Sequence, residues 1–380
     1  MAGGEARHMA GEQRGADVAT RVRLCVAGSL LALCLVARLA FERFGAALFP
    51  AYRQLSKAVM VALAAVMSVV PFAVWDVLVV VLAVVAVVAL VRRIRGHKGL
   101  LAWFSWVALV ASCALALFVG WALNHYAPPL ADDLGLEVGQ YTVEQLADAT
   151  EHYLREAAGL AAEVPRDDDG TLLGQEFFEL AGIAGASYEP LAGEWPVFQG
   201  STAPVKALLL WGEPQLYSGH TGIFWAPTGE STVPLHCATA DMPFTMCHEA
   251  AHRLGVASEQ EANFCAFLAC VTSDDVRFAY SGSYSAFCYC LNALYRADPD
   301  RAQQVVQSVA DSGLYEGVAL VLADRAATRE HYQAYEGPFE EVGTTVNNTY
   351  LRSFGESAGV RSYGLVVDYL IAWYETAGRV

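Results

Sequence analysis

His248-Glu249-Ala250-Ala251-His252-Arg253-Leu254-Gly255-Val256-Ala257-Ser258-Glu259-Gln260 is the stretch on which the reading of this chain turns. Residues four apart share one face of a helix, so H-E-x-x-H sets the His248 and His252 imidazoles side by side, able to grip one metal ion. Glu249 lies one step round the helix, within reach of a water at that ion. Two imidazoles and a carboxylate base at this spacing suit metal-assisted hydrolysis. The helix carries its own signals: Asp241 as N-cap, Pro243 in the first turn, Gly255 as terminator. Phe244, Cys247, Ala251 and Leu254 supply its apolar face. From Ser258 a second helix is expected to run to about Thr272.

A catalytic zinc keeps three protein ligands and one open position. Gly255 lets the chain reverse, so the third ligand is expected from the first turn of the following helix. Two acids compete there. Glu261 completes S-x-x-E with Ser258, a capping box and a sufficient structural reason for it. Glu259 is preferred as the ligand, with Asn263 one turn on to steady its carboxylate. No C-x-x-C occurs, so a cysteine zinc knuckle is not expected.

Outward from this motif the chain divides by charge. Residues 1–123 hold 12 Lys/Arg and 5 Asp/Glu; residues 124–380 hold 12 and 35. The first part is apolar and basic, the second acidic. Nucleic-acid binding is not expected, because phosphate contacts need clustered Lys/Arg.

Residues 99–123 carry no charge and are long enough to cross a bilayer, with Trp103, Trp106 and Trp121 towards the ends. Residues 72–92 make another span. Residues 22–41 make a third, weaker one, with a cleaved signal peptide as the competing reading. Phe41 to Val70 reads as an amphipathic helix lying at the interface. Basic residues at the N-terminus and in the 92–98 loop predict that both are cytoplasmic. The domain 124–380 then lies outside the cytoplasmic membrane, and the protein is a multi-pass protein of the cell membrane. Arg43, Arg53 and Lys57 oppose that orientation.

Nine cysteines are present, six of them in the acidic domain. Several lie on apolar helical stretches, where a buried thiol is the plainer reading. Thr142 to Glu163 reads as a capped helix and Asp167-Asp-Asp-Gly170 as a turn rather than a calcium loop. Val205 to Trp211 and Gly222 to Ala226 read as short strands; most of the remainder is helical by period. The fold class is α+β, mostly helical, with transmembrane helices followed by a domain holding a small sheet.

H-E-A-A-H followed by Ser258-Glu-Gln-Glu-Ala-Asn-Phe264 resembles the gluzincin side of the zincin metallopeptidases. More closely, Pro227-Thr-Gly-Glu230, Met242 to Gly255, Asn347-Asn-Thr-Tyr-Leu-Arg352 and Gly359-Val-Arg-Ser-Tyr-Gly364 resemble an uncharacterised bacterial membrane family, domain of unknown function 3810 (DUF3810). The likeness covers essentially the whole chain. It implies a zincin-like extracytoplasmic domain and a protease-like site, and no substrate. The His252 to Glu259 spacing is much shorter than in thermolysin-like enzymes, which leaves the third ligand open between Glu259 and Glu261.

The expected function is zinc-dependent hydrolysis of peptide bonds in a peptide or protein substrate, with His248, His252 and Glu259 on Zn²⁺ and Glu249 as catalytic base. Gly222 to Ala226 is the expected substrate-pairing edge. Tyr350, Arg361 and Tyr363 are candidate oxyanion stabilisers, whereas His220 and His236 are set aside as ordinary structural histidines. The alternative is a non-catalytic zinc-binding sensor or envelope-assembly protein with the same fold. An intramembrane protease fits less well, because Arg253, Glu259 and Glu261 surround the motif.

Overall fold

Runs of valine, leucine and alanine in the first third fold as helices, which satisfy their own backbone groups without water. The computed structural model describes residues 2–174, 176–353 and 366–376. Helix α1 spans Ala2–Met67, α2 Val74–Arg95 and α3 Leu101–Ala122. α1 is bent: Phe44 leaves helical geometry (φ −131°, ψ 20°) and Pro50 follows inside the helix. Proline removes a backbone donor and crowds the preceding turn, an ordinary cause of such kinks.

The two arms of α1 do different things. In the first, Arg23 Nε donates to Ser105 Oγ at 3.0 Å and its guanidinium lies 4.6 Å from the Trp106 ring. Eighteen residues on, Phe41 joins Leu123 in one apolar cluster. This arm therefore runs parallel to α3. In the second arm, Phe49 packs in that same cluster, Asn124 Nδ2 donates to Ser56 Oγ (3.1 Å), and Met60 packs with Trp121. All three meet the same end of α3, so the second arm crosses that end. The expected span at 22–41 and the expected interfacial helix are thus one bent helix, broken near the predicted boundary. α2 returns along α3, with Trp103 Nε1 of α3 donating to Ala86 O at 2.9 Å. The 92–98 loop and the start of the first arm consequently lie at one end of the bundle, and the remaining domain at the other.

Among the described residues, four helices are long and apolar enough to cross a membrane: Asp17–Met67, Val74–Arg95, Leu101–Tyr126 and Pro299–Gln333. The fourth was not expected. It comprises α11 (Pro299–Val309), a π turn and α12 (Tyr315–Gln333), and its Ala302, Val305, Val309, Val318 and Val321 are buried in the domain core. Its apolar stripe faces protein.

Beyond α3 come α4 (Leu130–Leu134), α5 (Val143–Leu160), α6 (Phe177–Ala186), α7 (Gly212–Leu216), α8 (Met242–Arg253), α9 (Glu259–Val271), α10 (Val276–Ala297), α13 (Pro338–Ser353) and α14 (Val366–Thr376). The predicted cap of α5 forms as a full capping box between Thr142 and Gln145. α5, α8, α9, α10 and α14 enclose the main core, around Tyr153, Leu154, Phe264, Phe267, Phe278 and Phe287. The 167–170 segment is the expected turn, with Gly170 at φ +81°.

The sheet has three strands, β1 (Lys206–Leu208), β2 (Ile223–Trp225) and β3 (Glu230–Pro234), in the order β1-β3-β2. β1 pairs parallel with β3 (Ala207 opposite Val233), and β2 antiparallel (Phe224 opposite Ser231). Both expected strands are present. The centre of the sheet, β3, falls on residues where no strand was expected.

The membrane helices and the sheet are joined by buried charges. Phe72 pairs with Ala207 on the far side of β1. Glu230 accepts from the backbone N–H of Val74 (2.8 Å) and Trp75 (3.0 Å), capping α2, and pairs with the buried Lys206 at 2.8 Å. In return Asp76, in the first turn of α2, accepts from the backbone N–H groups of Leu209, Leu210 and Trp211 (2.7–3.0 Å). The sequence marks Glu230 only as part of a family signature; the structure gives it this role.

Candidate metal centre

Every residue of α8 is buried. Three of its carbonyls accept a hydrogen bond from a side chain of another part of the fold: Cys247 O from Tyr188 Oη (2.9 Å), Glu249 O from Ser231 Oγ (2.7 Å) and His252 O from Trp121 Nε1 (3.1 Å). These come from the α6 connection, the sheet and α3, so the helix is pinned on three sides. Asp241 stands at its N-terminus without a side-chain cap bond, contrary to expectation. Gly255 closes the helix at φ +95°, a conformation that favours glycine. Asn124, just past α3, lies against it.

The turn at Gly255 brings the first residue of α9 back to α8. Glu259 Oε2 lies 3.1 Å from His248 Nε2 and 3.7 Å from His252 Nε2, and the two Nε2 atoms are 3.0 Å apart. Among the described residues these three form the group able to hold a metal ion. Zinc–ligand bonds of about 2.0–2.1 Å imply ligand–ligand edges of about 3.3 Å in a tetrahedron, and the three separations bracket that value. His252 Nδ1 lies 2.7 Å from Val256 O. A carbonyl only accepts, so Nδ1 carries the proton and Nε2 is left for a ligand role. The residues present fit a zinc ion.

Glu261 is elsewhere. Its Oε1 accepts from Leu130 N (2.7 Å) and Tyr369 Oη (2.9 Å), tying α9 to α4 and α14. The expected capping bond from Ser258 is absent. Asn263, expected to steady Glu259, lines the same cleft but leaves its buried Nδ2 unpartnered.

Glu249 is buried beside the group with Oε2 unpartnered. Burial raises its carboxyl to about 7, against the pull of the two imidazoles. For His252 burial works downward, but the Glu259 carboxylate outweighs it and raises the imidazole to about 9. Burial pushes Glu259 up, and hydrogen bonds from His248 and His252 hold it well below the carboxylate range. Without a metal, the cluster is an ion pair holding a proton.

The group opens into a cleft of about 1700 Å³. One wall is β2, the outer strand of the sheet, as expected. A Cβ at Gly222 would collide with the Glu249 carboxylate, so only glycine lets the strand approach so closely. Tyr350 of α13 lines the cleft, its Oη 3.0 Å from His125 Nε2. Arg361 and Tyr363 lie outside the described residues. His220, set aside on sequence, also lines the cleft, whereas His236 does not. Arg325 and Arg329 of α12 and Tyr284 of α10 complete a wall that no sequence signal announced. The nine cysteines are free thiols, and those on α8 and α9 are buried.

A family model described as "Protein of unknown function (DUF3810)" matches residues 52–371. The chain belongs to the DUF3810 family. No curated protein and no solved structure matches it. The DUF3810 match begins in the second arm of α1 and includes α2, α3, the sheet and every member of the metal-capable group.

Proposed function

We propose that this DUF3810 protein is a membrane-anchored zinc-dependent metallopeptidase, its cleft on the extracytoplasmic side. One observation carries the reading: three ligand atoms converge from two helices beside a buried, unpartnered carboxylate. Zinc held by His248, His252 and Glu259 would supply Lewis acidity, lowering the pKa of water and polarising a carbonyl. Among the described residues the group has three protein members rather than four, as an open, catalytic site requires.

The chain's own residues supply the rest. Glu249 takes the proton of the attacking water and returns it to the leaving amine; its raised pKa, near neutrality, suits both transfers. The β2 backbone aligns an extended peptide by strand addition. Tyr350 offers a hydroxyl to the carbonyl oxygen as negative charge develops there. The basic N-terminus and 92–98 loop at one end of the bundle favour placing the domain outside the cytoplasm.

In purified full-length protein, Glu249→Gln should keep its zinc and lose at least about 100-fold in peptide hydrolysis. His248→Ala should lose the metal. Wild-type rates in Glu249→Gln, or a wild-type protein that takes up no zinc, would overturn the reading.

A further inference from the structure

The metal group sits where the chain leaves its membrane helices. Phe118 and Trp121, on the last turns of α3, line the same cleft as His248, Glu249 and His252. The Trp121 ring is 6.1 Å from that of His252 and its indole N–H holds the His252 carbonyl. The apolar segment Leu101–Tyr126 has 26 residues. A hydrocarbon core of about 30 Å takes about 20 of them. A crossing that starts at Leu101 ends near Gly120, and Trp121 then stands at the depth where indoles anchor.

Two further surfaces sit beside that level. Leu209, Leu210 and Trp211 are consecutive and 50%, 50% and 42% exposed. Their backbone is bonded to Asp76 in the first turn of α2, which fixes them at the depth where that helix begins. The next element, α7, contributes Glu213 and Gln215 to the cleft, and Tyr217 just after it lines the cleft too. α13, whose Gly343 packs on Ser218 and whose Tyr350 ring lies 5.4 Å from that of Phe118, presents Phe339, Val342 and Val346, spaced i, i+3, i+7 on one face, 69%, 60% and 65% exposed, and lining the cleft. Exposed apolar groups set side by side mark a surface that meets protein or membrane, and here one group is bonded to the start of α2 and the helix that carries the other packs on the end of α3.

We propose that the cleft takes a membrane-tethered polypeptide and cuts it within about five residues of the point where it leaves the hydrocarbon, since an extended chain advances about 3.3 Å per residue. A chain emerging beside α3 passes Phe118 and Trp121 and reaches Glu249 with no room for a long stalk. The proposal rests on the peptidase reading and adds to it the class of substrate and the position of the cut.

The test uses zinc-loaded full-length protein in phospholipid vesicles. One cleavable sequence is placed three or twelve residues from a lipid anchor, at either end of an otherwise uniform peptide, and each peptide is also made without the anchor. Mass spectrometry reads the position of the cut and its rate. The expected result is cutting of the three-residue tethered peptide at least tenfold faster than the twelve-residue one, with the unanchored pair cut alike. Equal rates at both distances, or unanchored peptides cut as fast as the near-tethered one, overturn the proposal and leave the peptidase reading standing. Failure of zinc-loaded wild type to cut any of them, matching Glu249→Gln, overturns both.

Discussion

As the proposed general base, Glu249 carries two demands that pull against each other. A general base must ionise near neutral pH, and a buried carboxylate without a partner resists ionising. Its folded-state pKa of about 7 lies above the ordinary value near 4.3 in an unfolded chain. Between those values the folded state binds more protons than the unfolded one, so stability falls as pH rises through that window. The metal-free wild type should therefore lose on the order of 3 kcal/mol between pH 4 and 8 from this group. Glu249→Gln should lack that component, and thermal unfolding across the range, with chelator present, measures the difference.

His252 predicts an opposite proton flow. Raised to about 9 in the metal-free cluster, it is protonated at pH 7.5, whereas a ligand imidazole must be neutral. Zinc uptake at pH 7.5 should release about one proton, and affinity should rise with pH up to about 9. Calorimetry in buffers of different ionisation enthalpy counts the proton; a count of zero contradicts the assignment. Gly222 makes a steric prediction. Gly222→Ala places a methyl group against the Glu249 carboxylate. Hydrolysis should fall about 100-fold, the usual consequence of a catalytic group displaced by about 1 Å, with zinc content unchanged.

Helix α8 owes its precision to its neighbours. Tyr188, Ser231 and Trp121 each hold one of its carbonyls. The sheet that supplies Ser231 is in turn fastened to α2 through Glu230 and Lys206. Truncating Glu230 would leave Lys206 as a buried charge without its carboxylate and α2 without its cap. Glu230→Ala should cost about 3–5 kcal/mol, whereas Leu235→Ala, at an exposed position on the same sheet's trailing edge, should cost little. Unfolding midpoints of the two variants separate a junction role from a general effect on the sheet.

Across the whole chain, the boundary at residues 123 and 124 suggested by charge is not a mechanical one. Lys57 Nζ donates to the carbonyls of Val197 and Gln199, and Arg53 pairs with Asp133 at 2.6 Å. Trp75 stacks on Trp225 with ring centroids 4.6 Å apart. A fragment starting at residue 124 would expose Phe224, which packs with Met60 and Trp121, and leave Glu230 without the backbone N–H groups of Val74 and Trp75. It should be markedly less stable than a chain that keeps residues 46–123, and hydrogen exchange should show β2 and β3 losing protection first.

The imidazole pair, the carboxylate beside it and the turn that follows are all local. His248, Glu249, His252 and Gly255 lie within eight residues, and helical spacing fixes their relations wherever the helix sits. The long apolar runs are equally local, because hydropathy and length alone decide whether a helix can span a bilayer. The choice of Glu259 over Glu261 was different, since both stand on the first turn of α9. The fold separates them by what waits on each side: two imidazoles for one, and Leu130 with Tyr369, from distant parts of the chain, for the other. Glu230, Asp76, Trp121 and the α10–α12 wall are non-local in the same way. Their partners lie tens to more than a hundred residues away, and pairings at that range leave no periodicity in a sequence; they exist only once the core has closed.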